Sequence, residues 1–401
     1  MNTIEQLQTA VAHHRAGQLQ EAANLYHAVL RAAPDQPAAN HNLGLIAVQT
    51  GQAAVGLQFL RNAWRSVPGN EQYCVTLTDC LLKLGQTSDA HKILSNAVER
   101  KGFQSGAIKT LLGLASDILA NKRPSLAAET ELQALFGAGQ HQALRERLLL
   151  DMQKYADWWG GWDLLCTVQQ ILGEDCTAAL DRALQLARPA SNATPGKGKV
   201  FCIGFNKTGT TSVESVMRGI GLTVGNQAEA EMLVHDWGRR DFRRILSYCQ
   251  SADAFQDIPF SLPGTFAAVD EALPGSKFIL TVRSSADKWF NSLERFHSQI
   301  VGKGRVPTAD DLREFNYRYP GYIADVMRLS YSADGSAFYD RVPYSAYYEA
   351  HNVAAREYFK DRPGQFLELN CESPDAMEKL LSFLGVPFTG QQMPRLNASG
   401  G

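Results

Sequence analysis

The sequence predicts an α-helical solenoid over its first half and a parallel-sheet α/β domain over its second. Glycine-glutamine steps recur every 34 residues, at Gly17-Gln18, Gly51-Gln52 and Gly85-Gln86. Beyond residue 198 short apolar runs alternate with segments of helical period, the signature of strands and crossover helices. Between the two halves lies a small, polar stretch bearing proline and glycine, residues 191–198, without periodicity. It reads as a linker.

The first half is built from repeats. Pro34 and Pro68 keep the same period, and Ala22, Gly56 and Ala90 follow each glycine by five positions. Each unit reads as a helix, a glycine turn and a second helix. The small residues suit the close approach of the paired helices, and the glycine ends the first. This resembles the tetratricopeptide repeat. Residues 1–104 are expected to hold three such repeats. The phase is lost near Gly102 and returns at Gly139-Gln140 and Gly173. Residues 105–190 are therefore expected to hold a helical spacer, from Ser105 to Asn121, and two further repeats. Such stacks bury a continuous core that one unit cannot bury alone. They serve either as a groove for a protein or peptide partner or as a rigid scaffold. The tryptophans at 158, 159 and 162 read as inter-helix core or as a carbohydrate platform.

The second half, residues 199–401, opens on Lys199 to Ser212, KVFCIGFNKTGTTS. Val200 to Ile203 suits a buried strand. The chain then breaks into a loop bounded by Gly204 and Gly209, and Val213, Val216, Met217 and Ile220 recur at helical spacing. Strand, glycine-bounded loop and helix form a P-loop-like phosphate cradle, with backbone N–H groups and the helix dipole aimed at one point. The candidate anion-binding residues are Asn206, Lys207, Thr208, Gly209, Thr210, Thr211 and Ser212. In nucleoside-triphosphatase loops a lysine follows the second glycine and a hydroxyl holds magnesium. Here Thr210 takes the lysine's place and Lys207 sits inside the loop. The strand at residues 277–282 ends in Arg283, not in a carboxylate suited to magnesium. The alternative is a tight turn without a ligand.

Lys207-Thr208-Gly209-Thr210-Thr211 resembles the 5′-phosphosulfate loop of the cytosolic and Golgi sulfotransferases. The second motif of that family, an arginine after a strand with a serine in the following helix, is matched by Arg283 and Ser292, although Arg283-Ser284-Ser285 replaces the usual Arg-Asn-Pro. Ser292 lies nine residues on, so Asn291 is an alternative. The resemblance covers about the last half of the chain. It implies 3′-phosphoadenosine-5′-phosphosulfate (PAPS) as sulfuryl donor, no catalytic metal, and a hydroxyl or amine acceptor on a glycan, peptide or metabolite. Lys207 would stabilise the leaving phosphate, and Arg283 with Ser292 would grip the 3′-phosphate. The family's glycine-rich Arg-Lys-Gly loop is not visible. Its role falls to the tail at Gln391–Asn397, with Arg395 as candidate, or to nothing.

A base must take the acceptor proton. The resemblance points to Asp257, in Gln256-Asp257-Ile258-Pro259, where relatives carry glutamate. The alternative is an aspartate capping a turn. His297, on the helix after Arg283, is a candidate substrate contact. His235 is expected at the surface and His351 in the core.

Composition bounds the rest. The chain has 401 residues, a formal net charge of −2, and 45% hydrophobic residues. No bulk basic field points to nucleic acid, and no stretch approaches a membrane span of ~20 apolar residues. No secretory signal is visible. The seven cysteines are scattered, without a Cys-x-x-Cys pair, as in a reduced cytoplasmic protein. Besides the transferase, two activities fit the pattern: a helical-repeat scaffold with an inactive nucleotide-binding domain, or a kinase.

Overall fold

The computed structural model describes residues 2–187, 198–331, 338–394 and 396. The expected linker lies outside the described residues except for Gly198, as does Arg395. Among the described residues eleven helices occupy the first half: α1 (Thr3–Arg15), α2 (Leu19–Ala32), α3 (Pro37–Gln49), α4 (Ala53–Ser66), α5 (Glu71–Lys83), α6 (Thr87–Lys101), α7 (Gly106–Leu119), α8 (Leu126–Gly137), α9 (His141–Lys154), α10 (Trp159–Ile171) and α11 (Thr177–Leu186). The period-setting glycines Gly17, Gly51, Gly85, Gly139 and Gly173 have φ of 75, 79, 73, 68 and 73°. Each ends the first helix of a pair in the left-handed region, where a side chain is strained. Gly56 shows why small residues keep the period: a Cβ there would lie 2.7 Å from the Gly44 carbonyl of the partner helix. Helix α7 fills the expected spacer, with Ser105 as its cap.

The chain forms two compact units, Met1–Ala134 with Arg147–Trp158, and Leu135–Glu146 with Trp159–Gly401. In the first, Leu57, Leu60, Leu77, Leu81 and Leu94 make a continuous apolar seam.

The second unit holds a four-stranded, wholly parallel sheet of β1 (Val200–Cys202), β2 (Ala254–Gln256), β3 (Lys277–Thr281) and β4 (Phe366–Leu369), in the order β2-β1-β3-β4. Its remaining helices are α12 (Thr210–Gly219), α13 (Gln227–Glu231), α14 (Val234–Gly238), α15 (Arg243–Tyr248), α16 (Thr265–Ala272), α17 (Ala286–Ile300), α18 (Ala309–Glu314), α19 (Tyr322–Tyr331), α20 (Arg341–Phe359) and α21 (Ala376–Leu384). Alternation along the strands sends their side chains to two buried faces. Val200, Cys202 and Ile279 pack with Val213, Val216 and Met217 of α12 and with Leu380 of α21. On the other face Phe201 stacks between Phe255 and Phe278, each ring centroid 5.5 Å away. Cys202 is level with both Gln256 and Ile279. The loops after β1, β2 and β3 therefore leave the sheet at one edge, where ligands of such folds sit.

The pair α10–α11, read from sequence among the repeats, belongs to this second unit. Arg244 of α15, 4% exposed, holds it there. Its guanidinium reaches Asp163 of α10 at 2.8 Å and the fully buried Asp236 of α14 at 2.9 Å. It also donates to Thr167 at 2.9 Å, while Gln170 donates to Asp236 at 2.9 Å. The opposed charges satisfy one another, which is what lets the Arg244 and Asp236 charges lie buried at a helix contact, with Asp163 at its rim.

Candidate functional site

Helix α12 starts directly after Gly209, whose φ of 107° no side chain adopts readily. A Cβ there would also lie 2.7 Å from Cys371 Sγ. No side chain caps α12, and the Ser212 N–H donates to the Gly209 carbonyl, so the N–H groups of Thr210 and Thr211 are the ones left to an anion. At Gly204 a Cβ would fall 2.3 Å from the Thr281 carbonyl, so this glycine lets the loop cross β3.

Two residues hold the loop from behind. Trp289 of α17 donates Nε1–H to the Asn206 carbonyl at 3.0 Å, and Arg283 donates Nε–H to the Lys207 carbonyl at 2.7 Å. Lys207 itself takes a left-handed φ of 67°. Its ammonium lies 4.0 Å from the centre of the Phe296 ring and makes no ion pair among the described residues. Burial, then the neighbouring Arg283 guanidinium, pull it below the usual lysine range. A cation held this way, without a carboxylate partner, suits an anionic ligand.

These groups open into a cavity of about 320 Å³. Asn206, Lys207, Gly209, Thr210, Thr211, Asp257, Arg283 and His297 line it, so eight of the sequence-predicted residues meet in one place. Three others do not line it. Thr208 is buried, and its Oγ1 lies 2.6 Å from Thr281 Oγ1 while donating to the Phe205 carbonyl, so its side chain fastens the loop to β3. Ser212 is buried inside the first turn of α12. Ser292 is half-buried on α17 outside the cavity wall, and its alternative Asn291 accepts a hydrogen bond from Arg341 at 2.7 Å. The Arg283 guanidinium is also paired with Glu372.

Asp257 follows β2 with a φ of 60°. It accepts a hydrogen bond from the Ile258 N–H at 3.0 Å, a bond that does not preclude a chemical role. Burial, then the nearby Glu231 carboxylate, push its carboxyl up to about 7. Such a group shares its proton with solvent at neutral pH, as a general base must. His297 is buried; its Nδ1 lies 2.9 Å from Tyr339 Oη. Burial, then Lys207, pull it down to about 4, so it faces the cavity as a neutral imidazole at neutral pH. His235 is not the surface residue expected: its Nε2 lies 2.7 Å from Tyr319 Oη, and burial pulls it to about 4. His351 is the expected core histidine, with Nε2 2.8 Å from the Ile203 carbonyl.

Sequence reasoning missed much of the wall. Glu214, Gln227, Glu231 and Gln256 line it, as do Tyr317, Tyr322, Met327 and Tyr331. Leu293, Phe296 and Ile300 share the His297 face of α17 at helical spacing, a signal that was available. Glu231 sits in a short polar helix with no local mark of a site. Among the described residues no group of three His, Cys, Asp or Glu side chains is arranged to hold a metal. No helix there is long and apolar enough to cross a membrane, and none of the seven cysteines forms a disulfide.

Comparison with solved structures returns helical-repeat proteins. The Sgt2 TPR domain from Aspergillus fumigatus is 18% identical over 30% of this chain and 80% of that one, with a TM-score of 0.28. YrrB, described as a TPR protein with an unusual peptide-binding site, is 16% identical over 46% and 86%, with a TM-score of 0.29. A tetratricopeptide repeat protein from Parabacteroides merdae is 12% identical over 47% and 67%, with a TM-score of 0.28. No curated protein matches the chain. Residues 199–401 match the family described as "Sulfotransferase domain". That span exceeds half of the chain and contains the sheet, the cradle loop and the arginine after β3, and the protein belongs to the sulfotransferase domain family.

Proposed function

We propose that the second unit transfers a sulfuryl group from PAPS to an acceptor hydroxyl, with Asp257 as the base. The observation that carries this is the meeting, in one cavity, of an unpaired lysine, an uncapped helix start and a carboxyl whose pKa lies near 7. The first two are chemically fitted to the 5′-phosphosulfate. Lys207 and the amides of Thr210 and Thr211 would hold it, and Arg283 would take the 3′-phosphate once released from Glu372. Bound there, the donor supplies an electrophilic sulfur joined to a phosphate leaving group.

Asp257 would accept the proton of the acceptor hydroxyl as its oxygen forms a bond to sulfur. The bond from sulfur to the 5′-phosphate oxygen breaks, and its electron pair leaves with the phosphate. Lys207 and the first-turn amides stabilise the charge that grows on that oxygen. Removing one such donor typically costs 10²–10³ in turnover. Phe296, Tyr331 and the other apolar wall residues exclude water, which strengthens each of these interactions. The repeats of the first unit would serve a protein or peptide partner, a role that pull-down with the full chain and with residues 1–104 deleted would test.

The experiment is calorimetric binding of 3′,5′-adenosine bisphosphate, compared with ATP, in EDTA. Tight binding of the bisphosphate, lost in Arg283→Ala, is the expected result. ATP binding that appears only with magnesium, without bisphosphate binding, would replace this reading with a kinase. Bisphosphate binding without turnover on any acceptor would leave a nucleotide-binding scaffold.

A further inference from the structure

Sulfuryl transfer by Lys207 and Asp257 leaves one buried imidazole of the cavity unused. His297 lines the cavity, and its two ring nitrogens face different ways. Nδ1 lies 2.9 Å from Tyr339 Oη. Nε2, on the other side of the ring, has no hydrogen-bond partner among the described residues and is not sealed off from the cavity.

The protons of this pair can be placed. Burial, then the Lys207 charge, keep the imidazole neutral at neutral pH, so it carries one N–H. A proton on Nδ1 would point at Tyr339 Oη. The tyrosine's own O–H would then be a buried donor with no acceptor among the described residues, a costly arrangement. With the proton on Nε2, Tyr339 donates its O–H to the Nδ1 lone pair and both groups are satisfied. The Nε2–H is then left for the cavity. Tyr339 is itself tightly held. It is buried, and its backbone takes a φ of 63°, which bulky residues rarely adopt. Its ring meets that of His297 edge-on, with centroids 5.8 Å apart, and stacks on Tyr344 at 6.3 Å. The next residue, Asp340, caps α20 by accepting the Val342 N–H at 3.1 Å.

The Lys207 ammonium lies over the ring of Phe296, the residue before His297. The cavity is therefore lined by an acceptor for a proton, Asp257, and by two adjoining donors, Lys207 and the imidazole N–H. A donor beside an ammonium serves a negatively charged oxygen. We propose that His297 is a further catalytic residue, which donates Nε2–H to an oxygen of the sulfuryl group in transit, and that Tyr339 is the positioning residue that fixes its tautomer. The proton stays on Nε2 throughout. Asp257 takes the acceptor's proton, the phosphate oxygen takes the electron pair of the broken bond, and the imidazole only stabilises charge on the sulfuryl oxygens. This rests on the transferase reading above.

Two measurements on the full-length protein test it. The first needs no nucleotide. Long-range proton–nitrogen NMR of isotope-labelled histidines at neutral pH, with His297 assigned by the signal lost in His297→Gln, should show Nε2 protonated and Nδ1 accepting a hydrogen bond. In Tyr339→Phe the Nδ1 resonance should move to that of an unbonded ring nitrogen. The second compares PAPS with 3′,5′-adenosine bisphosphate, which lacks the sulfuryl group. His297→Phe should bind the bisphosphate as the wild type does but PAPS about tenfold more weakly. Release of sulfate from PAPS to water should slow by about 10²–10³. His297→Gln keeps an N–H at similar reach and should recover most of both losses, while Tyr339→Phe should slow release by up to about tenfold. Thermal unfolding checks that the variants fold, and if the wild type releases no sulfate to water the comparison of affinities decides alone. An Nδ1-protonated ring, or a His297→Phe variant with unchanged PAPS affinity and release, would overturn the assignment. A wild type that binds neither nucleotide would overturn the transferase reading instead, and the tautomer result would separate the two failures.

Discussion

Replacing Asp257 with asparagine should make the protein more stable and less active at once. The carboxyl sits at about 7 against an ordinary value of 3.8, so the anion is disfavoured in the folded chain by up to roughly 4 kcal/mol. The sign follows from proton binding. Below the unfolded value both states hold the proton and nothing is lost. Between about pH 4 and pH 7 the folded state holds it and the unfolded state does not, so stability falls as pH rises, and the loss is complete above the folded value. Asp257→Asn removes a group that must be ionised at a cost. Its melting temperature should exceed that of the wild type at pH 8, by about 2–4 °C per kcal/mol gained for a domain of this size, and the gain should fade toward pH 4. Activity should move the other way. The wild-type carboxyl is about one-tenth ionised at pH 6 and about nine-tenths at pH 8, so kcat/KM should rise nearly tenfold across that range. In Asp257→Asn the rise should disappear and turnover should fall by ~10²–10⁴, with bisphosphate affinity nearly unchanged. Differential scanning calorimetry at the two ends and a pH–rate profile measure both halves. A variant with no pH-dependent gain in stability would show the carboxyl to be ordinary, and one with normal turnover would remove it from the base role.

Lys207→Ala should lower turnover by about 10²–10³ in steady-state assays; an unchanged rate would separate the loop from the leaving phosphate. Glu372→Gln frees Arg283 from a pair whose members are 23% and 55% exposed. Such pairs are worth about 0–1 kcal/mol, so calorimetry should find bisphosphate binding up to about fivefold tighter, and no change would mean that Glu372 does not compete for Arg283. Arg244→Met strands the fully buried Asp236 and should cost about 3–5 kcal/mol in chemical denaturation; a loss below about 1 kcal/mol would show that the cluster does not hold α10 in place.

What the sequence made legible was local. A glycine that must take a left-handed φ, or a lysine inside a tight loop, leaves a mark within a few residues. This is why the 34-residue repeat, the strand–loop–helix of the cradle and the strand ending before Arg283 could all be read directly. Thr208 has the same local mark as Thr211, yet it turns inward because Thr281, 73 residues later, offers it a hydroxyl. Glu231, Gln256 and the tyrosines of the cavity come from three separate stretches, and their meeting is a property of strand order. The inclusion of α10–α11 in the second unit was hidden for the same reason: nothing near Asp163 announces Arg244.

The Asp163–Arg244–Asp236 cluster also decides where this chain can be divided. The family span begins at residue 199, which makes that residue the obvious place to cut. A polypeptide that starts there keeps Arg244 and Asp236 but loses Asp163, Thr167 and Gln170, and it bares the faces of α14 and α15 that α10 and α11 cover. The second unit also includes Leu135–Glu146, so a fragment that keeps the whole unit begins ahead of Leu135. Exchanging the repeat arm for that of another protein would require a splice upstream of Leu135, so that the last helix pair stays with the helices it packs on.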